Sequence, residues 1–404
     1  MDAREQIENL ERQLVALRKK YYLKSFIRKA KRLVTDFLPL QNADQSIIVT
    51  EKTILPAAET DNYLPKKQGE NQVKISTPIN AVKIYELENV YCISNSTFFL
   101  TLKKDKIFYE KWHDDKRIHY VYHTTNLLQN AVTLAKVQNR KSIRLKEEAI
   151  FLGGIFTFNY YHFVFEILSK TEFFNEIPEY HEKMVIVDEV VSQNENMKTL
   201  LSFFVKENNI RFVDHQTYFN FEKLWHITSP NYTIPNIVTG EKYEAGFSKF
   251  TPSSVQYLRK ICLENLDLTK VKTEKVEKVF IARKSQFRKY NEAEIIKVAK
   301  DFGFQEVFFE DLNIHEQIFM VQNAKYITGP SGAAWTNLLF ADSNAKGLTW
   351  LSSVWGDFSV YSTMAKIIGF DLNYYIYPQV TEDFHEDYIL NPKIFAQHLK
   401  TLLA

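Results

Sequence analysis

The chain has 404 residues, of which 45% are hydrophobic, and its formal net charge at pH 7 is +2. That length and composition suffice for two buried cores, whereas the small net charge argues against a general nucleic-acid binder, which usually carries a strongly basic face. Only Cys92 and Cys262 are present, so disulfide bonds are not expected. With no signal peptide and no apolar run of the ~18 residues that span a bilayer, the sequence predicts a cytoplasmic protein.

Residues 1–40 have the pattern of an amphipathic helix that is separate from the rest of the chain. Apolar residues recur at three- and four-residue spacing in residues 1–22, as in a short coiled coil through which two chains associate. Residues 18–32 include eight basic side chains and no acidic one, and residues 18–37 have an apolar opposite face, as in helices that lie on anionic membranes. Membrane contact, self-association and docking on the body all stay open, and a chain that starts near Asp44 is expected to fold.

Residues 41–75 are polar and contain Pro56 and Pro65, a composition that predicts a linker. From residue 76 onward the pattern changes to short apolar alternations that are typical of strands. The run Met-Val-Ile-Val at 184–187 is typical of a buried parallel strand. We therefore predict an α/β domain over residues 76–270.

Residues 271–375 alternate between strands and capped helices in the manner of a nucleotide-binding half-domain. A predicted strand at 279–282 ends at Arg283, and the basic loop after it contains Arg288. A second predicted strand at 326–328 runs into the turn Gly-Pro-Ser-Gly-Ala-Ala, which a helix follows.

The ends of these two strands suit a diphosphate. In open α/β sheets ligands lie beyond the carboxyl ends of the strands, where guanidinium groups and the unpaired N–H groups of helix N-termini bind anions. Surface ion pairing is the alternative role for the two arginines. Neither the GxGxxG of a dinucleotide-binding fold nor the GxxxxGK[ST] of a P-loop is present. Beyond this half-domain, residues 376–404 are predicted to form a helical tail.

A second group of polar residues begins with Asn159-Tyr160-Tyr161-His162. If a helix begins near Asn159, His162 and Glu166 lie one turn apart on the same face. Histidine accepts a proton readily near neutral pH, and a carboxylate one turn away can orient its ring, which is the arrangement of a general base. Taken alone, such a pair is more often a structural hydrogen bond.

Taken in order, these features resemble glycosyltransferase family 61, which includes bacterial capsule and exopolysaccharide enzymes. The resemblance covers roughly residues 80–380 and depends on the order of the motifs more than on any one of them. The matching positions are Asn159 to His162 with Glu166, Arg283 and Arg288 before Asn291-Glu292, Glu310-Asp311-Leu312, and Gly329 to Ala333 with Thr336 and Asn337.

The resemblance implies a GT-B architecture, an α/β fold in which two Rossmann-like domains face each other across a cleft, here with an N-terminal helical extension. Residues 76–270 would form the acceptor-side domain and residues 271–375 the domain that binds the nucleotide sugar. It also implies an inverting transfer of a hexosyl or pentosyl group from a donor that is usually UDP-linked. The acceptor would be a glycan or lipid-linked molecule, used in capsule or cell-surface polysaccharide synthesis at the inner face of the cytoplasmic membrane.

The same resemblance implies roles for individual residues. His162 is the expected catalytic base or an acceptor-site residue, with Glu166 orienting it, and Glu310 is expected to accept ribose hydroxyls. The other expected donor-side positions are Arg283, Arg288, Ser331, Gly332, Ala333 and Asn337. The positions expected to contact the acceptor or to stack on a ring are Asn159, Tyr161 and Trp335. No Asp-x-Asp sequence occurs, so neither a metal nor another cofactor is predicted.

The chain departs from the family at one motif. Members often have histidine where this chain has Ser331 and glycine where it has Ala334, so a role that needs imidazole is lost while a hydroxyl and an N–H remain for phosphate. Two nearby pairs fit helix capping boxes rather than site residues, namely Asn291 with Glu294 and Asn313 with Glu316. A non-catalytic scaffold of a polysaccharide-synthesis complex and a GT-B nucleotide-sugar epimerase stay open as alternative functions.

Overall fold

The computed structural model describes residues 32–111, 126–131, 133–234, 243–284, 288–379 and 386–404. In chain order its strands are β1 (Arg32–Pro39), β2 (Ile48–Leu55), β3 (Ala58–Tyr63), β4 (Lys74–Ile79), β5 (Val82–Leu87), β6 (Val90–Ile93), β7 (Phe98–Thr101), β8 (Lys106–Tyr109), β9 (Leu127–Asn130), β10 (Leu134–Gln138), β11 (Lys141–Arg144), β12 (Glu148–Phe151), β13 (Met184–Asp188), β14 (Ile210–Val213), β15 (Thr217–Asn220), β16 (Lys223–Ile227), β17 (Tyr232–Thr233), β18 (Ser248–Lys249), β19 (Lys278–Ala282), β20 (Gln305–Phe308), β21 (Tyr326–Pro330), β22 (Lys346–Ser352) and β23 (Asp371–Tyr377). The α-helices of eight or more residues are α1 (Glu195–Ser202), α2 (Pro252–Glu264), α3 (Glu292–Asp301), α4 (Ile314–Asn323), α5 (Val360–Ile368) and α6 (Pro392–Leu403). This mixed composition confirms the predicted α/β class.

A sheet of six described strands carries the first half of the site. Its order is β14-β13-β12-β16-β5-β2, and β12, β13, β14 and β16 run parallel. The parallel part starts at β12, builds outward through β13 and β14, and crosses back to pair β16 with the other edge of β12. The strand order therefore reverses between β12 and β16, and at such a reversal the loops leave a crevice beyond the carboxyl ends.

A second sheet, whose five described strands are all parallel, carries the other half. Its order is β20-β19-β21-β22-β23, so the reversal lies between β19 and β21. Alternate residues of β19 pack on opposite faces, with Val279 and Ile281 in the core that includes α4 and α5. Phe280 and Ala282 pack in the core that includes α3 and α6. Helices therefore cover both faces, as parallel sheets require.

The predicted helix over residues 1–40 is wrong at its C-terminal end, and the rest of it lies outside the described residues. Arg32–Pro39 is a strand that pairs with β8 on one side and β10 on the other. Phe37 is buried and Asp36 is exposed, which is the alternation of a strand. The apolar residues at 33, 34 and 37 fit a helical face equally well, and sheet pairing decides between the two periods.

Much of the predicted linker at 41–75 is also strand rather than irregular chain. β2 lies at the edge of the six-stranded sheet with a largely exposed face, which explains its polar composition. β3 and β4 pair with each other, and the segment between them contacts the second sheet, where Tyr374 N donates to the Lys66 carbonyl at 2.8 Å. The prolines therefore separate strands instead of marking an unstructured segment.

The C-terminal end of the chain matches its prediction in type. Helix α6 falls within the predicted helical tail and packs against α3 and β22. The preceding strand β23 continues to Tyr377, beyond the expected boundary at residue 375. None of the described helices is both long enough and apolar enough to span a bilayer.

Candidate active site

The carboxyl end of β12 leads into the site helix, which we define as residues 160–176. Asn159 caps its first turn, because its side chain accepts a hydrogen bond from Tyr161 N at 3.0 Å. The helix is then π-helical over Phe163–Ile167 and 3-10 over Leu168–Glu176. Gly154 lets this helix lie close to the strand, since a Cβ there would fall 2.6 Å from Ile167 Cγ1.

Side chains that follow β16 satisfy the widened turn. The Phe165 carbonyl accepts hydrogen bonds from Asn231 Nδ2 at 3.0 Å and from Ser169 Oγ at 2.6 Å. The Glu166 carbonyl accepts one from Ser229 Oγ at 3.2 Å. π-helical turns are rare and occur often at functional sites. The residues after the two strands at the reversal point thus fix the helix together.

His162 and Glu166 meet as the sequence predicts. His162 Nδ1 lies 2.9 Å from Glu166 Oε2, and the two side chains are 15% and 6% exposed. The contact does not have the geometry of a hydrogen bond. Glu166 Oε1 accepts a hydrogen bond from Thr233 N at 2.7 Å. Among the described residues nothing bonds to His162 Nε2, which leaves that nitrogen for a substrate.

Tyr161 supports this pair instead of facing a ligand. Its side chain is buried, and its hydroxyl lies 2.9 Å from Thr233 Oγ1. Its ring packs against Phe165 and against the edge of Tyr361, with centroids 5.3 and 6.1 Å away. Burial raises the pKa of Tyr161, and the nearby Glu166 adds to the rise. The expected ring stacking by Tyr161 therefore does not fit its position.

Arg283 and Arg288 converge where the strand order of the second sheet reverses. Arg283 Nη2 donates to the Arg288 carbonyl at 2.6 Å, and Arg288 Nη2 donates to the Ser331 carbonyl at 3.1 Å. A Cβ on Gly332 would lie 3.6 Å from Arg288 Nη2 and 3.9 Å from Arg283 Nη1. Both guanidinium groups therefore face the Gly332 backbone, directly before the helix Ala333–Phe340. The first N–H groups of a helix have no partner within it and add to the attraction for an anion.

The described residues do not balance the positive charge of these two arginines. No carboxylate in the described residues forms an ion pair with either guanidinium group. Burial lowers the pKa of Arg288, and the like charge of Arg283 lowers it further. Aromatic rings provide partial compensation, since Arg283 lies 5.7 Å from the Tyr290 ring and Arg288 lies 5.8 Å from the Trp355 ring. An anionic ligand would relieve this repulsion, so surface ion pairing does not describe the arginines.

The other predicted donor-side residues divide into two groups. Ser331 is buried and its carbonyl supports Arg288, so the backbone around it belongs to the arginine cluster. Glu310 is exposed beyond β20, and its Oε1 accepts from Lys284 N at 3.2 Å. Asn337 is buried and has both ends of its amide occupied, by Tyr160 OH at 2.7 Å and Gln317 Oε1 at 2.8 Å. We therefore correct the expectation for Asn337, which joins the site helix to the second sheet's helices.

Trp335 is likewise part of the core. It is 1% exposed, and its indole N–H donates to the Pro330 carbonyl at 3.1 Å. Its ring is not available for stacking in this structure, because packing within the short helix turns it inward.

The capping box of Asn313 with Glu316 is confirmed. The box at Asn291 is not formed. The Asn291 side chain instead accepts a hydrogen bond from Leu390 N and donates one to the Leu390 carbonyl.

Sequence patterns did not indicate several residues that support the site. Thr233 acts through its backbone N–H, which any residue offers. Lys170 is fully buried on the site helix and donates to the Gly153 carbonyl at 3.0 Å. Burial lowers the pKa of Lys170, while the charges of Glu110 and Glu166 oppose that change. A lysine between Ser169 and Thr171 in the sequence gives no sign of such burial.

The described residues contain no group of three His, Cys, Asp or Glu side chains placed to hold a metal ion. No curated protein matches the chain. Residues 160–348 match the family model Glycosyltransferase 61. The matched span begins at the site helix and ends within β22, so it contains both the His162–Glu166 pair and the arginine cluster. Over this region the chain is similar to glycosyltransferase family 61.

Proposed function

We propose that the protein is an inverting transferase that moves a hexosyl or pentosyl group from a UDP-linked donor to a hydroxyl group of a glycan or lipid-linked acceptor. The observation that carries the proposal is the convergence of Arg283 and Arg288 beside Gly332 with no carboxylate partner in the described chain. Such a site is suited to an anion with two phosphates. The match to a glycosyltransferase family model supports a nucleotide sugar as the source of that anion.

The chemistry needs a base on the acceptor side. His162 Nε2 would take the proton of the attacking hydroxyl, and Glu166, held by Thr233 N at 2.7 Å, would stabilise the imidazolium that forms. The hydroxyl oxygen then bonds to the anomeric carbon while the bond to the diphosphate breaks on the opposite face. The configuration of that carbon is thereby inverted.

The leaving diphosphate gains negative charge as its bond to the sugar breaks. Arg283, Arg288 and the N–H groups at the start of Ala333–Phe340 are fixed donors that stabilise this charge without rearranging. Glu310, exposed beyond the neighbouring strand β20, is suited to the ribose hydroxyls. Two guanidinium groups can carry the role that a divalent ion has in other transferases, so we propose that the reaction is independent of metal.

The proposal extends to architecture and setting. We propose that the six-stranded sheet and the five-stranded sheet form the two Rossmann-like halves of a GT-B enzyme. The Tyr160–Asn337 hydrogen bond, 2.7 Å long, supports an approach of their reversal points. We further propose a role in capsule or other cell-surface polysaccharide synthesis at the cytoplasmic face of the membrane. The basic residues 18–32 support that location.

A donor assay tests the proposal. Purified protein is first examined by mass spectrometry for a retained nucleotide sugar, and UDP binding is then measured by calorimetry. Release of UDP from a panel of UDP-sugars is followed with and without oligosaccharide or lipid-linked acceptors, in the presence and absence of EDTA. We expect acceptor-dependent UDP release that EDTA does not abolish. UDP formation with a free sugar and no acceptor would indicate an epimerase, and no UDP binding would indicate a scaffold.

A further inference from the structure

The loop between β12 and the site helix contains a strained aromatic residue. Phe156 has φ = +59°, a left-handed conformation. For a bulky side chain this conformation is an outlier that costs of order 1–3 kcal/mol. Such strain persists only where the surroundings impose it, and it occurs most often at binding sites and active sites.

Hydrogen bonds of the residues that follow Phe156 impose this conformation. Thr157 is fully buried; its N–H donates to Asn95 Oδ1 at 3.0 Å, and its hydroxyl donates to Asp188. Asp188 also accepts from Asn95 N at 2.6 Å. In addition, Asn159 N donates to the Phe156 carbonyl at 2.8 Å. The loop is therefore rigid, although it contains an unfavourable residue.

The result of this rigid loop is a pair of phenyl rings beside the candidate base. The rings of Phe156 and Phe158 meet edge to face with centroids 5.7 Å apart. The Phe156 ring centroid lies 5.2 Å from that of His162. Phe158 is 57% exposed, which is unusual for a large apolar side chain in a rigid loop. An exposed ring is thus held against the ring that contacts the imidazole.

We propose that Phe156 and Phe158 form the acceptor subsite, a platform that stacks on the apolar C–H face of a pyranose ring. The inference rests on the proposed role of His162 as base, because the sugar that carries the reacting hydroxyl must lie within a few ångströms of that imidazole. The aromatic residues expected from the sequence to stack, Tyr161 and Trp335, are buried. Phe158 offers the exposed ring that they lack.

Two substitutions test the platform without endangering the fold. Phe158→Ala removes an exposed ring, and Phe156→Gly removes the other ring while suiting the left-handed backbone. Leu268→Ala is the matched control, since Leu268 is 63% exposed and lies in a separate short helix. Thermal denaturation of all three variants verifies that they are folded.

Binding is measured by saturation-transfer NMR with methyl glycopyranosides and octyl glucopyranoside as probes, each in the presence of UDP. We expect transfer to the C–H face of one pyranoside ring in the wild type. We expect at least about threefold weaker binding in Phe158→Ala and Phe156→Gly, and no change in Leu268→Ala. Equal binding in the wild type and Phe158→Ala, or no pyranoside signal at all, would overturn the proposal. Transfer confined to the octyl chain would overturn it in favour of a lipid.

Calorimetry of UDP on the same samples separates this inference from the proposed function. If the platform is wrong but the enzyme assignment is right, UDP binds normally and the affinity for pyranosides is the same in the wild type and in the two phenylalanine variants. If the enzyme assignment is wrong, the wild type fails to bind UDP whatever the pyranosides do. The platform is supported only when UDP affinity is equal in all variants and pyranoside affinity falls in the two phenylalanine variants.

Discussion

The contact between His162 Nδ1 and Glu166 Oε2 leaves Nε2 as the ring nitrogen for chemistry, because the carboxylate occupies the other side of the imidazole. His162→Ala should lower turnover by roughly 10²-fold or more, the usual contribution of a general base, while the affinity for UDP stays near normal. Glu166→Gln keeps an acceptor for Thr233 N but loses the charge, so a smaller loss is expected. Turnover and UDP titrations on the same preparations measure both effects. Unchanged turnover in His162→Ala would make the pair structural.

The two arginines differ from their neighbours in having no carboxylate partner among the described residues. Arg283→Ala should weaken UDP binding by about 1.5–3 kcal/mol, the scale of a charge-assisted hydrogen bond. Lys284→Ala is the matched control, because the adjacent Lys284 is exposed and pairs with Asp311 at 2.5 Å. Calorimetry should show a loss in the first variant and little change in the second. Equal affinities in both would remove Arg283 from the site.

Asp188, which holds the phenylalanine loop, predicts a dependence of stability on pH. Burial raises its pKa from 3.8 to about 6. Between these values the folded protein binds the proton more tightly than the unfolded chain, so this group's contribution to stability falls as pH rises from about 4 to about 6 and is constant above. Asp188→Asn does not titrate. The Tm of the wild type minus the Tm of the variant should therefore decrease from about pH 4 to about pH 6. A difference that does not change with pH would contradict the raised pKa of Asp188.

At the scale of elements, Gly329 and Gly332 have different structural roles. A Cβ on Gly329 would lie 2.6 Å from the Ile281 carbonyl oxygen and 2.8 Å from Ile281 Cβ, so Gly329→Ala forces β21 away from β19. We expect it to destabilise the fold by about 1–3 kcal/mol, the cost of overpacking. A Cβ on Gly332 meets only the two guanidinium groups, so Gly332→Ala should keep its Tm and weaken UDP binding. Melting curves and calorimetry on both variants test this division.

The elements also differ in how far the sequence predicts them. Strands β19 and β21 were expected within about two residues of their observed ends, because a buried parallel strand is a continuous apolar run bounded by polar residues. β1 and β2 were not expected. β1 has a short apolar pattern that fits two periods, and β2 has the polar composition of an edge. Pairing across the sheet, which local sequence does not encode, decides both cases.

In the site too, local features were predictable from the sequence and features that depend on long-range packing were not. The pairing of His162 with Glu166 was predictable, because four residues of helix bring them together even though the turn is π-helical. The arginines were predictable from their place after a strand. The inward orientation of Trp335 and Asn337 was not, since it depends on how the Ala333–Phe340 helix packs against the site helix. The role of Phe156 was not either, because its backbone conformation is imposed by Asn95 and Asp188, which lie far away in sequence.

At the scale of the whole molecule, both halves of the site occupy the same kind of position in their sheets. Each lies beyond the carboxyl ends of parallel strands where the strand order reverses, between β12 and β16 in one sheet and between β19 and β21 in the other. Tyr361 lies between them: its ring meets Tyr161 at 6.1 Å, and the charge of Arg288 opposes the rise in its pKa that burial causes. A base and an anion site are thus brought near each other by two sheets that each provide one of them.

Strand β1 limits how much of the N-terminal segment a truncated chain can lose and still fold. β1 pairs with β8 and β10 inside the sheet, and Phe37 is 3% exposed, so a chain that starts near Asp44 loses a central strand and should not fold. A chain that starts near Lys29 should fold and bind UDP. If residues 18–32 bind anionic lipid, that shorter chain should sediment less with anionic liposomes than the full chain does. The difference should shrink in 1 M salt, where the Debye length is about 3 Å instead of about 10 Å at 0.1 M. Equal sedimentation would reject the membrane role, and loss of a dimer without a change in sedimentation would assign the segment to self-association.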